Sequence, residues 1–377
     1  MIDRVKFKDG IEISRLGLGN MRLPVKTPIK REANPMIDYA KGQMLVDLAY
    51  ESGVNYFDTA YMYHAGKSEK FIGSALKKYP RDSYYLADKL PVWMCASKKD
   101  MERIFNKQLS RCDVDYFDFY LLHALDGKAW AKCEKFDAVD FVEQKRKEGK
   151  VKYFGFSFHG TIDELKTIVN AHKWDFAQIQ LNYLDWKNQR ADEQYQILTD
   201  AGIPVVIMEP VRGGKLADPP KNVKELFDNY DSSKSYASWA IRFAATHENV
   251  LTVLSGMNAP EQMRDNINSL TDFKPLNEKE LKLCANAAGL MNKNDVIPCT
   301  GCDYCANYCP QEVKISTVFS VYNDYKNGEV TLDAAKEAYS KIDINASSCI
   351  NCKSCESHCP QSITIADMMQ NTVKKLF

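Results

Sequence analysis

The C-terminal part of the chain contains the same cysteine arrangement twice. Each copy has three cysteines separated by two residues, then a fourth cysteine after three more residues with a proline directly behind it. The eight cysteines are Cys299, Cys302, Cys305 and Cys309 in the first copy and Cys349, Cys352, Cys355 and Cys359 in the second. Three thiolates at this spacing can surround one iron–sulfur cluster from a single loop. The repeated string therefore predicts two [4Fe–4S] clusters.

The string resembles that of bacterial two-cluster ferredoxins, in which the fourth cysteine of each copy binds the other cluster. The resemblance implies that each cluster takes three ligands from one copy and one from the other. The implied ligand sets are Cys299, Cys302, Cys305 and Cys359 for one cluster and Cys349, Cys352, Cys355 and Cys309 for the second. Structural zinc is the main alternative, but zinc sites usually combine two Cys-x2-Cys pairs across a longer spacer.

Charge and cysteine usage indicate the compartment and exclude some partners. Fifty basic residues balance fifty acidic ones, so the sequence predicts neither a nucleic-acid partner nor binding to an anionic membrane. No apolar run reaches the roughly 20 residues of a membrane span. Disulfides would require an oxidising compartment, and we expect no signal peptide, so a cytoplasmic protein is predicted. The four other cysteines are expected to be buried apolar side chains, with a redox role open for Cys95.

Before the cysteine strings, short apolar runs alternate with longer amphipathic stretches, a pattern typical of α/β folds. The predicted strands are Arg15–Gly19, Asn55–Thr59, Tyr84–Lys89, Phe117–His123, Val151–Ser157, Phe176–Leu181, Pro204–Met208 and Leu251–Leu254. Eight strands with interposed helices predict a (β/α)8 TIM barrel. A doubly wound sheet is the alternative, but no G-x-G-x-x-G motif follows an early strand.

The predicted organisation has three parts. A barrel is expected over residues 1–274, a helical linker over 275–298 and an α+β ferredoxin-like domain over 299–377. Val5–Ile13 is expected to form a hairpin at the barrel floor, and Pro24–Lys41 a long first βα loop over the opposite mouth. Between the strings, Ser316–Ser340 has helix-like patterning, and it could insulate the clusters, pack on the barrel or receive a partner.

Four polar residues lie at or just beyond the ends of three consecutive predicted strands: Asp58, Tyr63, Lys89 and His123. The carboxyl ends of barrel strands face the active site, so we expect these side chains to converge there. A buried lysine beside a tyrosine favours the phenolate and lowers its pKa, and an aspartate compensates the lysine's charge. A histidine can donate a hydrogen bond to a substrate oxygen. Each residue alone is common in cores and helix caps, but together they predict a site for carbonyl reduction.

Residues 1–270 resemble the aldo-keto reductase family. The resemblance rests on the segment Gly53–Tyr63, which contains Asn-Tyr-Phe-Asp-Thr-Ala, on Leu90 after Lys89, and on the segment Asp118–His123. It covers the whole predicted barrel and therefore implies the (β/α)8 fold a second time.

The resemblance also implies roles for the four polar residues. Tyr63 would be the general acid and Lys89 the residue that modulates its pKa. Asp58 would be the partner of the lysine, and His123 would orient the substrate. The family transfers a hydride from NADPH directly to an aldehyde or ketone without a metal, so a small carbonyl or alcohol substrate is implied.

A nicotinamide-nucleotide site is implied at the later strand ends. Gly155–Ser157 and Gln178–Gln180 match the strands where the family holds the nicotinamide carboxamide, and Gly256–Asn266 resembles its adenosine-binding loop and helix. The implied cofactor-binding residues are Ser157, His159, Gln180, Met208, Arg212, Gly213, Gly256, Gln262, Arg264 and Asn266.

Two stretches near the nicotinamide depart from the family pattern. His159 stands near the position where many relatives have Asn after the serine, and Met208 stands where an aromatic ring often stacks on the nicotinamide. Glu209–Gly214 replaces the usual Ser-Pro-Leu, and Arg212 with its following glycines could approach a pyrophosphate.

The adenosine end departs from the pattern as well. The family's basic pair for the 2′-phosphate is replaced by Gly256 and Gln262, and Arg264 lies nearby and could compensate. Either NADPH or NADH is therefore expected as the nucleotide.

The two halves of the sequence imply different electron chemistry. A hydride carries two electrons, whereas a [4Fe–4S] cluster passes one at a time, so a full electron chain would need a converter such as flavin, for which no motif is evident. Three functions stay open. The clusters could exchange electrons with a redox partner protein while the barrel reduces a carbonyl, they could be structural or sensory, or the barrel could be idle in an electron-transfer protein.

Overall fold

The structure is a computed structural model that describes residues 2–26, 36–292 and 296–377. Parts of the predicted first βα loop (27–35) and of the predicted linker (293–295) lie outside the described residues. The chain divides into two compact units. The first comprises Met1–Pro210 and Ser238–Glu278, and the second comprises Val211–Ala237 and Lys279–Phe377. The predicted boundaries at 274 and 298 stay a prediction.

The first unit contains a closed barrel of eight parallel strands, as the sequence predicted. The strands are β3 (Leu16–Gly19), β4 (Tyr56–Asp58), β5 (Tyr85–Leu90), β6 (Phe117–Leu125), β7 (Val151–Phe158), β8 (Phe176–Gln180), β9 (Val205–Met208) and β10 (Val250–Ser255). They pair in chain order, and β10 closes the barrel by pairing with β3. Nearly every strand residue is buried, because helices cover the outside while side chains fill the inside.

Helices alternate with the strands as expected from the amphipathic stretches. They are α1 (Tyr39–Glu51), α2 (Ser68–Leu76), α3 (Lys98–Cys112), α4 (Gly127–Lys135), α5 (Ala138–Lys147), α6 (Ile162–Ala171), α7 (Asp185–Asn188), α8 (Ala191–Asp200), α9 (Lys221–Asp231), α10 (Tyr236–Ala245) and α11 (Pro260–Ser269). Several begin at side-chain caps: Thr161 and Glu164 form a capping box at α6, and Asp38 and Asp126 cap α1 and α4. Helix α12 (Glu278–Met291) follows.

A hairpin precedes the barrel, in agreement with the prediction for Val5–Ile13. Strands β1 (Arg4–Lys6) and β2 (Glu12–Ser14) pair in antiparallel register around Asp9 and Gly10, both at positive φ. The Phe7 ring packs edge-on against Tyr153, with ring centroids 5.0 Å apart. An apolar layer therefore fills the amino-terminal half of the barrel. Its buried members include Ile13, Tyr56, Ala87, Phe119, Leu121, Tyr153, Phe176 and Val206.

This apolar layer determines where the polar residues go. Side chains alternate between the two faces of a strand, so a residue two positions beyond a core residue faces the same interior. Asp58 follows Tyr56 by two positions on β4, and Lys89 follows Ala87 by two on β5. The polar residues therefore form the next interior layer, at the carboxyl ends of the strands.

The second unit has its own core, built mainly from helices. Helices α13 (Ile315–Lys326) and α14 (Leu332–Ser340) contribute Val318, Phe319, Tyr322 and Tyr339 to it. The segment 316–340 is thus helical as predicted, and part of its apolar face packs within this unit. Shorter helical pieces follow: α15 (Ile365–Asp367), a π-helical turn at Met368–Val373 and α16 (Lys374–Leu376).

The second unit differs from the α+β expectation in one respect. Its described residues between 296 and 377 contain helices and turns but no β-strand. After each cysteine string the backbone turns through a residue at positive φ, Glu312 or Ser362, and a helix begins about three residues later. The extended segments are therefore too short to pair as strands.

Among the helices that the structure describes, none combines the length and the apolar character needed to span a membrane.

Candidate functional site

The side chain of Lys89 is the centre of the polar layer at the barrel mouth, and it is fully buried. Its Nζ donates to Asp58 Oδ1 at 2.7 Å and to the Thr59 carbonyl at 2.7 Å. The Tyr63 hydroxyl lies 3.4 Å from the same Nζ. Three of the four predicted catalytic residues therefore meet at one ammonium group.

Burial governs the electrostatics of this group. Desolvation raises the pKa of the Asp58 carboxyl, and the nearby Lys89 ammonium opposes that rise. Removing one partner of a buried ion pair leaves an uncompensated charge and costs about 3–5 kcal/mol. Asp58 and Lys89 therefore depend on each other as one buried ion pair.

A strained turn positions Tyr63. The residues that follow it, His64 and Ala65, have left-handed backbone conformations with φ of 51° and 54°. His64 Nε2 accepts a hydrogen bond from the Leu23 backbone N–H at 3.1 Å, which connects this turn to the loop after β3. Burial lowers the pKa of His64 to about 4, so the imidazole is neutral at pH 7 and can accept. Sequence reasoning missed His64, although it directly follows the predicted proton donor.

His123 completes the predicted set at the end of the β6 core run. Its ring centroid lies 6.1 Å from that of Tyr63 and 4.9 Å from that of Trp93. Burial lowers the pKa of His123 well below 6.5, and the positive charge of Lys89 lowers it further. Within the described part of the chain, Nδ1 of His123 is buried without a hydrogen-bond partner. The ring is therefore neutral and has a polar atom that a ligand could engage.

A second layer fixes the backbone of Lys89. Asp88 Oδ1 accepts the Lys89 N–H at 2.8 Å, and Gln108 Nε2 donates to the Lys89 carbonyl at 2.9 Å. The Tyr120 hydroxyl in turn donates to Gln108 Oε1 at 2.6 Å. These residues were not predicted, and the available signal was a pair of polar side chains, Asp88 and Gln108, in otherwise apolar buried faces.

The predicted nucleotide residues on β7 and β8 reach the same mouth. Ser157 Oγ accepts the Ala124 N–H at 2.7 Å. Gln180 Nε2 donates to Asp185 Oδ2 at 2.7 Å, and Asn182 Nδ2 donates to the same oxygen at 2.7 Å. His159 follows β7, and burial lowers its pKa to about 4.

Of the predicted nucleotide residues on β9 and α11, three make side-chain hydrogen bonds, and Arg264 has an exposed side chain. Met208 Sδ accepts a hydrogen bond from Gln178 Nε2 at 3.5 Å. Asn266 Nδ2 donates to Ser255 Oγ at 2.9 Å, which fixes the second half of α11 against the end of β10. Gln262 Oε1 accepts the Asn258 N–H at 2.9 Å, and Arg264 is exposed.

Arg212 and Gly213 lie in the part of the chain that belongs to the second unit. Arg212 is buried, and both residues have positive φ, 48° and 66°.

An ion pair that sequence reasoning did not anticipate crosses the end of β10. Arg22 donates to Glu209 Oε1 at 3.3 Å, from the loop after β3 to the residue after β9. The stem of Arg22 lies on Gly256, where an added Cβ would be 3.2 Å from Arg22 Cβ. The absence of a side chain at Gly256 thus lets Arg22 reach its partner.

The second unit contains two cavities, each ringed by four cysteines. One is lined by Cys299, Cys302, Cys305 and Cys359, and the other by Cys309, Cys349, Cys352 and Cys355. Each cavity thus combines three cysteines of one string with the fourth of the other string. In the described residues, no three His, Cys, Asp or Glu side chains are close enough to share a single metal ion.

Comparison with known proteins gives two model matches, one over the barrel and one over the two cysteine strings. The model of the aldo/keto reductase family matches residues 15–288, and that of a 4Fe-4S dicluster domain matches residues 298–364. The oxidoreductase YqkF of Bacillus subtilis (strain 168) is 24% identical over 301 residues, which cover 72% of this chain and 92% of the relative. The NADH-specific methylglyoxal reductase of Escherichia coli (strain K12) is 22% identical, over 59% of this chain and 80% of its own length.

A solved structure shows the same barrel fold. The aldo-keto reductase AKR11C1 from Bacillus halodurans, in its holo form, superimposes with a TM-score of 0.64 at 23% identity, over 76% of this chain and 96% of its own. The family model covers well over half of the 377 residues. This chain therefore belongs to the aldo/keto reductase family and is an oxidoreductase with a C-terminal 4Fe-4S domain.

Proposed function

We propose that the barrel interconverts a carbonyl compound and its alcohol, with Tyr63 as the proton donor in reduction. The observation that carries the proposal is the set of contacts at Lys89 Nζ, which meets Asp58, the Thr59 carbonyl and the Tyr63 hydroxyl. A lysine ammonium can only donate hydrogen bonds. The Tyr63 oxygen therefore accepts from Lys89, and the hydroxyl proton is the one that Tyr63 would transfer to the substrate oxygen.

Lys89 also supports the second half of the proton transfer. When Tyr63 gives up its proton, a phenolate forms, and the positive charge 3.4 Å away stabilises it. Asp58 holds that charge in place, because the lysine would otherwise be a buried charge without a partner. Little reorganisation is then needed during the reaction.

His123 would bind the substrate oxygen together with Tyr63. A neutral imidazole carries one N–H donor and one acceptor nitrogen. With the two ring centroids 6.1 Å apart, one carbonyl oxygen fits between donors from both rings. Two donors at the oxygen favour the negative charge that develops there and leave the carbonyl carbon open to a hydride.

A nicotinamide nucleotide fits the ends of β7 to β10. When bound, NADH or NADPH supplies the hydride for the carbonyl carbon. Gln180 and Asn182, which share the Asp185 carboxylate, are rigid amides of the kind that recognise a carboxamide. Arg22 is a cation beside Gly256 that could meet a phosphate, and its pairing with Glu209 keeps it at that position.

We further infer that each four-cysteine cavity holds one [4Fe–4S] cluster. The four irons of such a cluster each take one thiolate, so its ligands surround a volume and do not converge on a single ion. The two groups of four lining cysteines, each with three from one string and one from the other, support a cluster in each cavity. Bound clusters would supply one-electron transfer, and the partner for those electrons would be another protein. An electron-transfer protein with an idle barrel is disfavoured by the intact set around Lys89.

Replacing Tyr63 by Phe tests the proton donor. The ring packing is kept while the O–H is lost, so we expect kcat for reduction of 4-nitrobenzaldehyde with NADH or NADPH to fall by about 10²–10⁴-fold. Nucleotide affinity, measured by quenching of tryptophan fluorescence, should change little. Tyr61→Phe, a neighbouring tyrosine outside the Lys89 cluster, is the matched control. Carbonyl reduction at the wild-type rate in Tyr63→Phe would contradict the assignment.

The pH dependence of kcat/KM tests the neutral His123. Burial holds the pKa of His123 well below 6.5, so kcat/KM should show no protonation step near pH 6.5, where an ordinary imidazole titrates. As the pH falls towards the lowered pKa, the ring would become a cation beside Lys89 and lose its acceptor nitrogen. The neutral His123 would be contradicted if kcat/KM fell below about pH 6.5 in the wild type and this fall disappeared in His123→Gln.

Iron and sulfide analysis of the anaerobically purified chain tests the cluster assignment. We expect about eight iron atoms and eight sulfides per chain. Cys302→Ala and Cys352→Ala should each lose about half of the iron, because they belong to different ligand sets. Cys133→Ala, at a buried cysteine of helix α4, should keep all of it. A chain that binds zinc in place of iron would exclude the clusters.

A further inference from the structure

The two cysteine strings have the same backbone, and each therefore serves as a control for the other. At positions 50 residues apart, Gly301 and Asn351 have φ of 66° and 58°, and Asp303 and Lys353 have φ of 59° and 61°. A 3₁₀ turn follows in both copies, at Ala306–Tyr308 and Glu356–His358. Differences in the exposure of their side chains therefore come from different surroundings and not from a different backbone conformation of the loop.

The surfaces of the two loops differ where they cover the cavities. Thr300 of the first loop is 5% exposed, whereas its counterpart Ile350 is 61% exposed. Cys302 is half-buried, whereas its counterpart Cys352 is exposed. The second loop therefore places a large apolar side chain in water next to a cysteine that also reaches the surface. An apolar side chain exposed to this extent gains by being covered by a partner.

Charge is reversed between the same loops. Asp303 of the first string corresponds to Lys353 of the second, and Asp324 of α13 corresponds to Lys374 of α16. Over the matched spans 300–326 and 350–376 the formal charge changes from −1 to +1. Lys353 is exposed and lines the second cavity together with Ile350.

The acidic groups of the second string are engaged inside the unit. Glu356 Oε1 accepts the Ala366 N–H at 2.9 Å, and Asp367 accepts a hydrogen bond from Asn371. Gln370 Nε2 donates to the Cys349 carbonyl at 2.6 Å and so holds the C-terminal helical segment against the loop. That segment carries Lys374 and Lys375. The exposed rim of the second cavity therefore has an apolar centre at Ile350 and a basic edge at Lys353.

The first cavity has a different neighbourhood within the same unit. Lys215, from the segment that follows β9, interacts electrostatically with Cys299. The first string thus lies close to side chains of its own unit, whereas the equivalent loop of the second string is exposed.

We propose that the loop Cys349–Cys355 is the docking surface for a small acidic one-electron carrier protein. The inference rests on the proposed function, since it requires a cluster in the second cavity. An apolar contact inside a charged rim gives a short-lived complex, and the basic edge attracts an acidic partner over distance. The reduced carrier gives up one electron and the cluster gains it, with no bond formed or broken and no proton transferred.

Stopped-flow reduction by a defined carrier tests this surface. The probe is reduced flavodoxin, an acidic one-electron protein, mixed anaerobically with the full cluster-loaded chain. The variant Ile350→Thr with Lys353→Asp installs the side chains that the first string has on the same backbone, so it should fold. We expect its second-order rate constant at low salt to fall by about tenfold or more, with a weaker dependence on ionic strength.

Two controls separate docking from the other possibilities. Asp303→Asn changes the charge of the first loop and should leave the rate constant unchanged, and dithionite should bleach wild type and variant to the same extent. An unchanged rate constant in the double variant, or a loss confined to Asp303→Asn, would overturn the docking surface. Self-association of the wild type that the double variant abolishes would likewise overturn it, in favour of a second copy. A chain without reducible clusters would refute the proposed function itself.

Discussion

A single buried ammonium group organises the barrel mouth. The Lys89 side chain is not exposed at the surface, and it lies above an apolar layer that includes Tyr56, Ala87 and Phe119. A charge in such a place is stable only with a carboxylate and with further acceptors around it. Asp58 and the Thr59 carbonyl meet that need, and the Tyr63 hydroxyl completes the set. The stability of the site and its proposed chemistry thus depend on the same contacts.

The periodicity of strands explains which parts of this site could be predicted. Asp58, Lys89 and His123 end apolar runs, and alternation along a strand places all three in the barrel interior. Tyr63 could be added because it follows Asp58 closely, and the structure brings it to Lys89.

Contacts between distant segments could not be predicted in this way. Arg22 and Glu209 are 187 residues apart and meet only because β9, β10 and β3 are neighbours in the closed barrel. The support of Lys89 by Gln108 depends on how α3 packs on β5, which no pattern within either element reveals. The predicted α+β character of the C-terminal domain was likewise incomplete, because tight turns after each string leave too little extended chain to pair.

The two copies of the cysteine string share one backbone conformation but have different surroundings. The resemblance to two-cluster ferredoxins implied which cysteines would group together, and the same groups line the two cavities. Exposure and charge do not follow from the spacing. Thr300 and Ile350 occupy equivalent positions with opposite exposure, and they distinguish an enclosed site from an accessible one. The proposed electron exchange at the accessible loop and the proposed hydride transfer in the barrel would then be separate chemical steps in one chain.

The fate of the nicotinamide hydrogen tests the central claim most directly. The full chain is supplied anaerobically with NADH or NADPH that carries deuterium on the transferred position of C4, and the alcohol formed from 4-nitrobenzaldehyde is analysed by mass spectrometry and NMR. Direct hydride transfer beside Tyr63 predicts one deuterium on the alcohol carbon and solvent hydrogen on its oxygen. An alcohol whose carbon carries solvent hydrogen would show that electrons and protons arrive separately, and it would contradict a Tyr63–Lys89 site that receives an intact hydride.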